Sequence, residues 1–289
     1  MRILRIPILF LTLAFSARAD TNGLSSLWVV TGKQNKVYLQ ASIHMLKPEH
    51  YPLSETITTA FGESEVIVFE ADLGIMNSPE IAAFMAEKGL LRGDKTLKSV
   101  ISPETYKATA DMLPEIGAQI SAFSRFKPWF LAFMLSSLKL QTLGYNPKHG
   151  IDFHFYEKAR KSDRLTMYLE TVRGQIANLD SLTPRVQDEM LARTIEEYDE
   201  FESMIEELVA AWQLGDTGPL EAWITETYEE YPELYELLIV KRNRNWIRQI
   251  DTFLQSDQDH MVIVGAAHVV GDDGLITMLR TRGYEVRQL

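Results

Sequence analysis

The chain has 289 residues, 46% of them hydrophobic, a formal net charge of −11 and no cysteine. That length suffices for one large domain or for a core with an insertion, while the acidic balance excludes nucleic acid and anionic membrane as electrostatic partners, since both require basic patches. The missing cysteines exclude disulfides, thiol nucleophiles and cysteine-linked lipids.

Residues 1–19 read as a signal peptide. Arg2 and Arg5 precede an apolar run over 6–15, and "ARA" ending at Ala19 offers a small-x-small cleavage site, so the mature chain is expected to begin at Asp20 in the periplasm or outside the cell. The run is shorter than the roughly 20 residues of a spanning helix. No second run of that kind follows, and no transmembrane segment is expected.

Further along, "KVYLQASIH" predicts a strand running into His44, followed by a loop, a helix over "LSETITTAFG" and a second strand, "EVIVFEAD". That second strand delivers Glu70 from four consecutive apolar residues, with Asp72 two positions on. Residues 76–255 read as a helical insertion: Ser78 caps a helix that opens on Pro79, and Thr183 with Pro184 opens a long helical stretch ended by Gly215. Within the insertion, "RLTMYLET" predicts one extra strand near 165–169. The acidic run 196–207 carries Tyr198, Phe201 and Ile205 at helical spacing and reads as an amphipathic helix with a solvated face.

The end of the chain repeats the beginning. "HMVIVGAAH" is a strand running into His268 through the small residues Gly265, Ala266 and Ala267, followed by a loop, a helix over "GLITMLRTRG" and a last strand, "YEVRQL". The expected fold is therefore mixed α/β. Residues 20–75 and 256–289 each supply a strand–His–loop–helix–strand repeat to one central sheet, and the helical insertion lies between them.

Such a sheet would bring His44 and His268 to one edge, where α/β sheets present side chains to ligands. With Glu70 emerging from a neighbouring strand, two imidazoles and a carboxylate form the ligand set of a divalent metal that keeps one position open for water. A bound metal of this kind lowers the pKa of its water to about 7. Asp72, on the same face if its strand continues, is the candidate for moving protons. The other four histidines, His50, His149, His154 and His260, read as packing or hydrogen-bonded residues. The sequence holds no G-x-S-x-G elbow, H-E-x-x-H helix or phosphate-binding glycine loop.

The segments "LQASIHMLKPEHYPL", "VIVFEADL", "GIDFHFYEKARKSDRLTMYLETVRGQ", "KRNRNWIRQI" and "VIVGAAHVVGDDGLITMLRTRGYEV" resemble the TraB/GumN family. That family includes the animal TIKI proteins and is related to the erythromycin-esterase and ChaN-like fold. Its hallmark is a pair of G-x-x-H motifs: the second is intact here from Gly265 to His268, and the first has Ala41 in place of glycine. The resemblance implies a metal-dependent hydrolase that cleaves a peptide or protein substrate with a manganese- or cobalt-type ion, zinc being a further option. It places His44, Glu70 and His268 at the metal and Arg242 facing the site, and it draws attention to Gly150, Asp152, Glu170 and Gln175. Two alternatives stay open: a non-catalytic peptide- or haem-binding protein on the same scaffold, and a metal-independent hydrolase using histidine and Glu70.

Overall fold

The structure, a computed structural model, describes residues 23–289; the signal peptide expected over 1–19 and the mature start at Asp20 lie outside them. Its centre is a six-stranded mixed sheet. In chain order the strands are β1 Leu27–Thr31, β2 Lys36–Ser42, β3 Val66–Phe69, β4 Leu165–Tyr168, β5 His260–Gly265 and β6 Val286–Gln288. Their spatial order is β4-β3-β5-β2-β1-β6.

The four strands from β4 to β2 are parallel, whereas β1 pairs antiparallel with both β2 and β6. β3 and β5 are buried along their whole length, as a parallel strand covered on both faces requires, and this is why they read as unbroken apolar runs. The extra strand expected near 165–169 is β4, which takes an edge of the sheet and exposes Leu165 and Met167. The two terminal repeats share a pattern but not a topology. After β2 the chain crosses to β3 in parallel, while after β5 it reaches β6, antiparallel at the opposite edge.

Helices pack around the sheet and extend from it. The stretch expected to run unbroken from Thr183 to Gly215 forms two helices instead, Pro184–Glu196 and Phe201–Gln213. The break at 197–200 separates like charges four apart, Glu196 and Glu200, which disfavour one continuous helix. It also buries Tyr198 against a satellite cluster with Leu113, Leu131 and Leu191. The caps at Ser78 and Thr183 form as expected, each side chain accepting a backbone N–H three residues on. Among the described residues, no helix is long and apolar enough to cross a membrane.

Candidate active site

The strand order β3-β5-β2 sets the carboxyl ends of three parallel strands side by side, with Phe69 in register with Ile263 and Ser42 with Gly265. Glu70 follows β3, His44 lies two residues beyond β2, and Gly265 closes β5 before a helical turn, Ala266–Val269, that carries His268. Three residues far apart in sequence thus reach one crevice.

Gly265 lies at its floor. Its N–H donates to Glu70 Oε1 at 2.6 Å. A Cβ at this position would lie 3.1 Å from His44 Nε2, 3.2 Å from Glu70 Oε1 and 3.6 Å from the His268 ring. Glycine is needed because the functional groups close over the space that a side chain would fill. Ala41, by contrast, lies inside β2 opposite Val264, where its methyl is buried without intruding on these groups.

His268 is buried, and its orientation comes from Asn243 on the helix Lys241–Phe253. Asn243 Oδ1 accepts from His268 Nδ1 at 2.8 Å, while its Nδ2 donates to the carbonyls of His268 and Asp273. The Nε2 lone pair is thereby turned into the crevice, where it accepts from Arg242 Nη1 at 2.8 Å. Burial drives the His268 pKa down; Glu70 opposes this, but Arg242 and His44 reinforce it, and the pKa falls to about 3. The ring is neutral at neutral pH.

His44 is in the opposite state. More than half of its side chain is exposed, and its Nδ1 lies 2.9 Å from Asp152 Oδ2. Desolvation lowers its pKa, but the charge and hydrogen bond of Asp152, with help from Glu70, more than offset this and raise it to about 9. Asp152 is held by close backbone docking: Ile151 N–H donates to Ile43 O, and Asp152 N–H donates to Ser42 Oγ. A Cβ on Gly150 would collide with the His44 carbonyl at 2.2 Å, which accounts for glycine there.

Arg242 occupies the centre. Its side chain is only 13% exposed; Nη2 lies 2.5 Å from both Glu70 Oε2 and Glu170 Oε1, Nη1 donates to Leu238 O at 3.1 Å, and the guanidinium lies over the Trp246 ring. Gln175 Nε2 donates to the same two carboxylates at 3.0 and 2.9 Å. Burial would raise the Glu70 pKa, but His268, Arg242, His44 and the Gly265 N–H together lower it to about 2. With His268 neutral, Arg242 and His44 are the cations that keep Glu70 ionised at neutral pH.

The structure therefore gathers His44, Glu70, His268 and Arg242, together with Asp152, Glu170 and Gln175. Asp72 does not join them, which corrects its expected role in proton transfer. β3 ends at Phe69, so the alternation that would have placed residue 72 on the face of residue 70 does not continue. The Asp72 carboxylate instead caps the turn Leu73–Ile75 through the Gly74 N–H. His154 packs against Tyr51 and His260 stacks on Phe253, as structural residues. Asn243 and Trp246 were not singled out in the sequence, although "RNRNW" sets them one and four residues after Arg242, on the helix that covers His268.

No three His, Asp or Glu side chains among the described residues stand in a metal-holding arrangement. His44 Nε2 is 3.9 Å from Glu70 Oε1, but the guanidinium of Arg242 lies between Glu70 and His268 Nε2. The donor types suit a divalent ion, and the Gly265 gap is the cradle on which they converge. The Arg242 bond to His268 would have to yield to such an ion.

Two uncharacterized YbaP proteins, from Escherichia coli (strain K12) and Shigella flexneri, are each 24% identical to the chain, covering 84% of it and 87% of their own length. The Metalloprotease TIKI1 of Danio rerio is 22% identical, covering 93% of this chain and 63% of its own length. No solved structure matches the chain significantly. The TraB/PrgY/gumN family profile matches residues 26–288, across the sheet and every residue of the crevice, and the chain belongs to that family.

Proposed function

We propose that the protein is a hydrolase of peptide bonds, exported from the cytoplasm, whose reaction centre is the crevice of His44, Glu70, Arg242 and His268. The observation that carries this reading is the convergence of two strand-end histidines on one carboxylate over the bare backbone of Gly265. Distant similarity to a metalloprotease supports the reaction class.

His44, Glu70 and His268 are the residues that would hold a divalent ion of manganese or cobalt type, with zinc a further option; when bound, it would supply an activated water and polarise a carbonyl. The chain's own groups prepare the site. Asn243 keeps the His268 Nε2 lone pair aimed inward, Asp152 orients His44, and the Gly265 N–H with Gln175 fixes the Glu70 carboxylate. Once displaced from His268, Arg242 would supply a positive charge beside an oxygen that becomes negative during cleavage.

A second reading rests on the His44–Asp152 pair. His44 is charged at neutral pH without any metal and exposes an edge to the crevice, so it could protonate a leaving amine, with Glu70 and Arg242 orienting the substrate. Metal content and turnover of a mixed peptide pool, measured on purified protein before and after chelation, separate the two. Loss of turnover on chelation with recovery on adding manganese supports the metal reading, whereas turnover that survives chelation supports the second. No turnover under either condition overturns hydrolysis. Amino-terminal sequencing of exported protein tests the location, with Asp20 as the expected first residue.

A further inference from the structure

The helical insertion lines most of a half-open cavity of about 220 Å³ that reaches the crevice at Ala267. Two elements join them. Ala267, next to His268, lines the cavity, and so does Leu238, whose carbonyl accepts from Arg242 Nη1. Leu238 lies in a π-helical turn, Glu236–Val240, that leads into the helix carrying Arg242; turns of this kind recur at functional sites.

The lining is apolar and rich in aromatic and thioether groups: Met190, Phe201, Met204, Trp223 and Leu238. The charged side chains at its wall are engaged with partners. Arg193 pairs with Glu197 at 2.7 Å and with Glu230, and its guanidinium lies over Tyr231, while Lys139 lies over the Tyr198 ring. What remains for a ligand is a mostly apolar hollow. A dry apolar cavity of about 150 Å³ is large enough to take benzene, and pockets for drug-sized ligands begin at about 300 Å³. The volume here suits one aromatic ring with its connecting carbon, and methionine sulfur favours contact with ring edges.

We propose that this cavity is a specificity subsite that receives an aromatic side chain of the peptide substrate, next to the scissile bond. The proposal rests on the hydrolase reading for the word substrate, but the cavity can be tested without turnover. A single methylene in an apolar pocket changes specificity by roughly 10–200-fold, so a ring that fills the hollow confers at least about tenfold preference over alanine.

Thr227 lines the cavity from the helix Gly218–Glu230, and its hydroxyl donates to Trp223 O on the same helix, so T227F fills the hollow at the cost of a bond within one helix. M204W fills it from the helix Phe201–Gln213 and serves if T227F does not fold. In a peptide series differing only in the residue beside the cleaved bond, wild type should show at least about tenfold higher kcat/KM for phenylalanine than for alanine. Either filling variant should reduce that ratio to about twofold. Equal turnover of both peptides by wild type, or a preference retained in a folded filling variant, overturns the subsite. If wild type cleaves no peptide, hydrolysis fails and binding decides the cavity. Titration with N-acetyl-phenylalaninamide should then shift the Trp223 indole signal, assigned through W223F, and neither T227F nor the alanine amide should reproduce the shift. An unmoved indole signal in wild type overturns the subsite.

Discussion

Asn243 Oδ1 accepts the Nδ1 proton of His268 at 2.8 Å and thereby leaves the Nε2 lone pair pointing into the crevice. Asn243 is fully buried, and its amide also ties down the carbonyls of His268 and Asp273. Asn243→Ala should therefore cost stability of about 1–3 kcal/mol, from buried groups left without partners. It should also lower activity, and metal affinity if the crevice takes an ion, by about 10–100-fold, because the residue that orients His268 is lost. Denaturant unfolding and metal titration of the same variant measure the two effects; retained wild-type affinity would mean that His268 does not act through Nε2.

Asp152 sets the charge on His44. Since the His44 pKa is raised to about 9, its favourable interactions are fully present below the unfolded value of about 6.5 and are lost as the pH rises through 9. In Asp152→Asn the hydrogen bond can remain but the negative charge does not, so the titration of His44 should move down toward 6.5. Histidine ring signals followed by NMR across pH 5 to 10 would show it. His268 should remain neutral throughout that range in both proteins.

Gly265→Ala isolates the crevice from the fold. The backbone at Gly265 has φ −50°, which alanine adopts freely, so no conformational strain is expected. The added methyl would press on His44 Nε2 and Glu70 Oε1, both of which must yield by a few tenths of an ångström. Activity should fall at least tenfold while the melting temperature changes by only a few degrees. A variant with wild-type turnover would show that the Gly265 gap is not where the reaction occurs.

Arg242→Ala would leave Glu70 and Glu170 facing each other without their shared cation. Breaking a buried ion pair by removing one partner costs about 3–5 kcal/mol, and all three side chains here are less than one-fifth exposed. The metal-free variant should therefore melt well below wild type. If the crevice accepts a divalent ion, manganese should restore part of the loss, by replacing the missing positive charge and binding folded protein only. Thermal melts with and without manganese read both effects. A variant as stable as wild type would overturn the central place of Arg242.

Much of the fold was legible in the sequence because its signals are local. The apolar runs around Val37, Val66 and Val262 announce buried strands, Ser78 and Thr183 announce helix caps, and the small residues before His268 mark a backbone that turns beneath a functional group. These patterns span a few residues and depend on burial and backbone geometry alone. The repeated strand–His pattern also pointed to His44 and His268 meeting at one sheet edge. Only the tertiary structure decided what surrounds them. The insertion of β5 between β3 and β2 carries Glu70 to the Gly265 N–H, and a helix more than 170 residues after Glu70 brings Arg242 between that carboxylate and His268. Asp72 is lost from the site because β3 stops at Phe69, one pleat too early. Protonation follows the same division: identical imidazoles end with pKa values of about 9 and about 3, because Asp152 approaches one while burial and Arg242 act on the other. Local sequence sets which groups are present, but their charge states depend on neighbours that only the folded chain brings within a few ångströms.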